Sequence, residues 1–115
     1  MKPEFDFENV GCDNVLVCLY SLSKLDKKIL DTLSDEEEYR SSELAEELDR
    51  DQSTVYRSLE RLVSCGMVYK EKKTIRKGGY YYLYSARPQN LVKEEAMNCL
   101  DDWYEKMKKA IDDLD

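Results

Sequence analysis

Two short apolar stripes set close together constrain this chain more than any other feature of it. Leu44, Ala45 and Leu48 fall at helical spacing just after Ser41 and Ser42, and Val55, Leu59, Leu62 and Val63 repeat the pattern after Asp51. Ser41 or Ser42 is the expected cap of the first helix, since a hydroxyl there accepts the otherwise unpartnered N–H groups of the first turn. Asp51 is the expected N-cap of the second, and Gly66, which accepts a left-handed backbone without a Cβ penalty, is its expected C′ residue. Only Asp49-Arg50-Asp51 separates the two stripes, so the helices must meet through a tight turn. Two helices joined in this way form a helix-turn-helix unit, with the second helix spanning about residues 51 to 65.

Past Gly66 the apolar period changes. Met67 to Thr74 and Tyr80 to Ala86 are rich in strand-forming residues, and between them lies the double-glycine turn of Ile75 to Gly79. Two such runs around a short glycine turn predict a β-hairpin, here with the basic tip Arg76-Lys77-Gly78-Gly79. Upstream, Val15, Cys18, Leu19 and Leu22 predict a first helix from Asp13 onward, and Leu25, Ile29, Leu30 and Leu33 a second after Ser23. Ser34 to Tyr39 is a polar connection. Residues 1–12 form a tail in which Phe5, Phe7 and Val10 are the available anchors. Pro88 opens a last helix, where its missing N–H costs nothing. That helix extends from Gln89 to about Leu114, roughly 39 Å at 1.5 Å per residue.

Along this last helix Ala96, Leu100, Trp103, Met107, Ala110 and Leu114 advance by alternating steps of four and three, the seam of a coiled coil. One way to cover the seam is to fold it back on the first helix of the same chain. The better reading is a homodimer, with Val15, Leu19, Leu100, Trp103, Met107, Ala110 and Leu114 at the interface. The expected organisation is thus a tail over 1–12, a helix-turn-helix domain with its hairpin over 13–88, and a dimerisation helix over 89–115. The fold class is mainly α with one small β-hairpin.

Composition narrows the function classes. The chain of 115 residues has no histidine, which excludes Ser-His-Asp and Cys-His nucleophiles and any zinc site that uses histidine. The carboxylates of Asp35 to Glu38 and of Asp101-Asp102 sit in solvated charge runs with no glycine-rich phosphate loop nearby, so no enzyme is read here. No apolar run reaches 18 residues and no secretory leader is visible, which predicts a cytoplasmic protein without a membrane partner. No metal, cofactor or small-molecule ligand is evident.

The charge is uneven. The net formal charge is −7, yet residues 50–87 hold nine positive groups against three negative ones and carry a net +6, leaving −13 on the remainder. A basic island in an acidic chain is what a focused anion-binding surface looks like. The plainer alternative is a solvated face on which charges happen to cluster.

With those residues in place, the chain resembles a winged-helix transcription regulator. The line SSELAEELDRDQSTVYRSLERLVSCGMVYKEKK…RKGGYYYLYSARP is similar to the archaeal sugar-sensing TrmB-like type, and also to the multiple-antibiotic-resistance and arsenic-sensing groups. The matching positions are Leu44-Ala45, Ser53 to Tyr56, Leu59, Leu62, Gly66, Val68 and the Gly78-Gly79 tip, and the resemblance extends over about residues 23 to 88. One departure is Asp49, where such proteins often carry glycine. Aspartate tolerates the left-handed region better than most residues, so the turn is expected to survive.

The resemblance implies a sequence-specific regulator of double-stranded DNA, and the helical spacing agrees. With Val55, Leu59 and Leu62 inward, Ser53, Tyr56, Arg57, Glu60 and Arg61 face outward. Helix N-termini enter the major groove in this motif, so Gln52, Ser53, Thr54 and Arg57 are the candidates for base edges. Ser42, Tyr56 and Arg61 are candidates for phosphates. Arg76 and Lys77 on the wing would reach backbone or the adjacent minor groove, and Lys70, Lys72 and Lys73 would add counterion release. A homodimer would read a pseudo-palindromic operator. The rival reading is a winged helix that docks a protein, to which a remainder of −13 would suit a basic partner.

Tyr80, Tyr82 and Tyr84 alternate onto one face of the hairpin and are expected to pack against the neighbouring helix rather than to stack on unpaired bases. The four cysteines read as reduced thiols, with Cys18 and Cys65 as small hydrophobes on apolar stripes. Cys12, before a helix N-terminus, and Cys99 are the candidates for a lesser alternative, a thiol-based redox or metal sensor.

Overall fold

The computed structural model describes residues 12–34 and 37–114, with side chains from residue 15 onward. Seven elements follow one another in these residues: α1 (Cys12–Tyr20), α2 (Lys24–Leu33), α3 (Ser41–Leu48), α4 (Gln52–Ser64), β1 (Val68–Thr74), β2 (Tyr80–Ala86) and α5 (Gln89–Asp112). The expected anchors Phe5, Phe7 and Val10 lie outside the described residues.

Local chemistry sets most of the boundaries. At α2 the Ser23 hydroxyl accepts the Asp26 N–H at 3.0 Å while the Asp26 carboxylate accepts the Ser23 N–H at 2.9 Å, a reciprocal capping box. The start of α3 differs from expectation. Arg40 is the N-cap residue and Ser41 already lies in the first turn, because Glu43 reaches back to accept the Arg40 N–H at 2.8 Å. Asp49 ends α3 in the left-handed conformation, with φ 52° and ψ 52°, as anticipated. At α4, Asp51 accepts the Thr54 N–H at 3.2 Å. The helix closes with Gly66 at φ 81° and a Met67 N–H bond of 3.0 Å to the Leu62 carbonyl, which is the Schellman closure.

The core lies where α2, α3, α4 and the hairpin converge. Ile29, Leu33, Leu44, Val55, Leu59 and Leu62 are fully buried, with Val68 and Tyr84 closing the wing side. Burying each such aliphatic side chain contributes about 1.5–3 kcal/mol relative to leaving it exposed. Strands β1 and β2 pair antiparallel from Val68↔Ala86 out to Thr74↔Tyr80. Tyr39 adds a bridge to β2, exchanging backbone hydrogen bonds of 3.0 and 2.8 Å with Tyr84, so the polar connection contributes a stub of third strand.

The long helix divides in two. Its proximal half packs on α1, burying Ala96 and Cys99. From Leu100 onward the apolar stripe is exposed, and the molecule measures 64 × 28 × 23 Å. This corrects the expectation for Val15, which is 2% exposed within the single chain and so is not available to a second copy. Helix α1 packs on the proximal half of α5, and Leu19 is half-buried against the core.

The cysteines also depart from expectation. Cys18 and Cys65 form a disulfide with a Cα–Cα separation of 6.1 Å, within the range that permits the bond. Cys99, 1% exposed, is disulfide-bonded as well and presents no free thiol. The side chain of Cys12 lies outside the described residues. The apolar stripes that made Cys18 and Cys65 look like small hydrophobes are the faces that bring their sulfurs together.

Candidate nucleic-acid interface

Helix α4 presents two faces. Val55, Ser58, Leu59 and Leu62 point into the core, while Gln52, Ser53, Tyr56 and Arg57 face solvent on its N-terminal half. Their positions follow from the helical period alone, since 52, 53, 56 and 57 lie opposite the buried set. The Ser53 hydroxyl donates to the Asp51 carboxylate, and the Thr54 hydroxyl lies 3.4 Å from the same oxygen. Hydrogen bonds from Ser53 and then Thr54 hold the Asp51 carboxyl below its usual range. Both hydroxyls therefore serve the cap, which leaves Gln52, Tyr56 and Arg57 as the unencumbered groups of this turn.

The basic island is smaller at the surface than in the sequence. Four of its nine positive groups have acidic partners: Arg61 with Asp26, Lys70 with Glu60, Lys73 with Glu71 and Arg87 with Glu95. Arg87 is 8% exposed and also donates to the Gly66 carbonyl at 2.8 Å, so it fastens the base of the wing. Lys70 sits between α4 and the hairpin, 2.9 Å from Glu60 and 4.2 Å from the Tyr82 ring centroid. Arg50, Arg57, Lys72, Arg76 and Lys77 have no ion-pair partner among the described residues and are all exposed.

The hairpin tyrosines grade from core to solvent. Tyr84 is buried and donates to Glu60 at 2.8 Å; burial first, and then that carboxylate, raises its pKa well above the ordinary phenol value. Tyr82 is half-buried against the core, and Tyr80, near the tip, is 56% exposed with Lys72 lying 4.2 Å from its ring. Each lysine thus lies over a tyrosine diagonal to it on the partner strand, which stiffens the wing. The packing expected of all three tyrosines holds for the inner two.

Several residues at or behind this surface were missed in the sequence. Asp26, fully buried, accepts from Ser58 and Arg61 and so ties α2 to the inner side of α4. Burial pushes its pKa up, but the hydrogen bonds from Arg61, Ser58 and Ser23 outweigh that and hold it below the usual carboxylate value. Arg40 lies 3.7 Å from the Tyr81 ring centroid on the other face of the hairpin. The exposed face of α3 is acidic, with Glu43, Glu46 and Glu47, while Ser42 stands exposed at its start. The basic strip is therefore bordered by a repulsive band. A capping-box pattern at Ser23–Asp26 was legible, but its second duty across 32 residues to Ser58 had no local signal.

Among the described residues no group of cysteines and carboxylates is arranged to hold a metal ion, and no helix is long and apolar enough to cross a membrane. An apolar groove of about 560 Å³ runs between α1 and α5, lined by Leu16, Val17, Tyr20, Leu100 and Trp103.

Comparison with known proteins places this architecture. The sequence profile of the family described as "Sugar-specific transcriptional regulator TrmB" matches residues 18–90. Two uncharacterized proteins of Methanocaldococcus jannaschii, designated MJ1503 and MJ1082, are similar. The first is 29% identical, with the match covering 90% of this chain and 78% of the relative. The second is 33% identical over 84% of this chain and 80% of its own length. Among solved structures, a possible transcriptional regulator from Methanosarcina mazei superposes with a TM-score of 0.70 at 21% identity, over 90% of this chain and 88% of the other. The fold is that of winged-helix regulators.

Proposed function

Because this chain belongs to the TrmB family of sugar-specific transcriptional regulators, a family of DNA-binding regulators rather than enzymes, we propose that it acts as a homodimer reading a pseudo-palindromic site in double-stranded DNA. The N-terminal half of α4 enters the major groove, with Gln52 and Arg57 on base edges and Tyr56 on backbone. Ser53 and Thr54 stand beside them, their hydroxyls engaged with Asp51, and contribute to the same surface. The wing tip, Arg76 and Lys77, lies along the neighbouring phosphates or minor groove, with Lys72 behind it. Arg61, Lys70 and Lys73 act chiefly through their carboxylate partners and add a screened positive field. Ser42 contacts phosphate from the start of α3.

The observation that carries this reading is the exposed, unpaired set of Arg50, Arg57, Lys72, Arg76 and Lys77 around the solvent face of α4 and the wing. The second copy covers Leu100, Trp103, Met107, Ala110 and Leu114, which are exposed along one side of α5. Leu19, half-buried against the core and lining the cleft between α1 and the winged helix, is not assigned to this face. Two recognition helices then lie about one DNA turn apart, and the acidic α3 faces steer the duplex onto the basic strip.

Fluorescence anisotropy on the protein's own upstream DNA, with an unrelated duplex as control and salt raised from about 50 to 200 mM, tests this. Five unpaired cations per protomer predict a log–log salt slope of about −4 to −5 for each protomer engaged. Tighter binding to the upstream fragment, falling with that slope, is the expected result. No binding to either duplex at low salt would sink it in favour of a protein-docking winged helix.

A further inference from the structure

The C-terminal end of α4 is a junction in which two adjacent residues are tied to the two helices of the α1/α5 pair. Cys65 is bonded to Cys18 of α1. The Gly66 carbonyl accepts from Arg87, whose guanidinium pairs with Glu95 of α5 through two contacts of 2.8 Å. The recognition helix is thereby fastened at one end to the elements proposed to carry the dimer. The two fastenings differ in kind, since one is a partly buried ion pair and the other is a covalent bond that thiols can open.

Helix α1 packs on the proximal half of α5, and apart from the disulfide it meets the winged helix through partly buried side chains such as Leu19. It is a helix of nine residues, below the length that is stable alone in water. Between it and the winged helix lies a cleft of about 480 Å³, lined by Leu19, Leu22, Leu33, Met67 and Val92. Packing this open does not by itself hold two elements in one register.

We propose that the Cys18–Cys65 disulfide is a redox switch that sets the angle between the recognition helix and the α1/α5 dimer module, and through it DNA affinity. The inference rests on the DNA-binding reading above. Opening requires a dithiol reductant. One of its thiolates attacks Sγ of Cys18, the half-buried member of the pair, and Cys65, 2% exposed, leaves as a thiolate and takes up a proton. The second thiolate of the reductant then attacks the mixed disulfide, Cys18 leaves and is protonated, and the reductant departs as its own disulfide. Two electrons and two protons enter the protein, and an oxidising disulfide reverses the step. In the bonded form the two recognition helices keep one spacing. In the dithiol form α1 moves into the cleft, only a fraction of dimers present the operator spacing, and apparent affinity falls in proportion to that fraction.

The full chain would be compared in its disulfide form and after dithiothreitol, by anisotropy on the same upstream duplex and by amide hydrogen exchange over α1. The expected result is a loss of DNA affinity of at least about fivefold on reduction, together with loss of protection in α1. C18S and C65S should each bind as the reduced wild type does, indifferent to dithiothreitol, while C99S should keep the response. Equal affinity and equal α1 protection in both forms would overturn the switch while leaving the DNA-binding reading intact. A C18S variant that binds like the disulfide form would overturn it too. Absence of binding in either form would instead remove the DNA-binding reading, and the switch with it.

Discussion

Asp26 shows how one side chain can serve two levels of structure. It caps α2 through Ser23 and, from the same buried carboxylate, accepts from Ser58 and Arg61 on α4. Arg61 was read as a phosphate contact because its position on α4 lies outside the core stripe. Its guanidinium instead turns toward Asp26, since a carboxylate with no solvent exposure stays ionised only with a cation in reach. Arg61 is itself half-exposed, so the pair is worth less than a fully buried one. Asp26→Ala is expected to cost about 2–3 kcal/mol, from the lost cap and the unpartnered Ser58 hydroxyl, and to lower Tm by on the order of 10 °C. Thermal melts check this. Because the folded pKa lies below the ordinary 3.8, the Asp26 contribution is fully present above that value and is lost as pH falls through the depressed folded pKa. The difference between wild type and Asp26→Ala should therefore be constant from pH 5 upward and shrink below about pH 4. A difference that stays constant down to pH 2 would contradict an ionised Asp26.

The wing illustrates how far an element can be read before packing is known. Alternation of strand residues, the glycine turn and the basic tip all follow from sequence, and the register from Val68↔Ala86 to Thr74↔Tyr80 places the tip beyond the last pair. What alternation does not reveal is depth. Tyr84 is buried and Tyr80 is exposed on one and the same face, because α4 covers only the inner half of the hairpin. Lys70 and Lys73 are likewise claimed by Glu60 and Glu71, whereas Arg76 and Lys77 extend past every carboxylate partner in the described residues. Replacing Arg76 and Lys77 together by alanine should weaken binding to operator and control DNA alike and flatten the salt slope by about two per protomer. Circular dichroism and Tm should be unchanged, since neither residue packs. A selective loss of operator binding would mean that the wing reads bases rather than phosphates.

At the scale of the molecule the apolar seam of α5 has two owners. Ala96 and Cys99 are spent on α1 inside the chain, while Leu100, Trp103 and Met107, each 41–44% exposed, and Leu114 at 78% are left over. A stripe of this kind beside an apolar groove has the character of an interaction surface. Trp103→Glu combined with Met107→Glu is expected to convert a dimer to a monomer in sedimentation or light scattering. DNA affinity should fall by at least about 100-fold, because the second half-site no longer gains from effective concentration. A wild-type protein that sediments as a monomer at tens of micromolar would sink this assignment.

The division between sequence and structure follows range. Helix and strand periods, the left-handed Asp49 and Gly66, the Asp51 cap and the outward face of α4 depend on contacts within a few residues, and all of them were legible. So was the sign of the candidate surface, because nine cations against three anions in 38 residues leave an excess of positive charge in any arrangement. Which of those cations are free was decided only by tertiary contacts, since their partners lie 2 to 35 residues away in the chain and at distances no spacing rule specifies. The same holds for Val15, whose apolar face was assigned to a second copy and is covered within the chain, and for Cys18 and Cys65, 47 residues apart. An apolar stripe requires burial but does not name its cover, and two cysteines become a disulfide only when the fold brings their Cα atoms within reach.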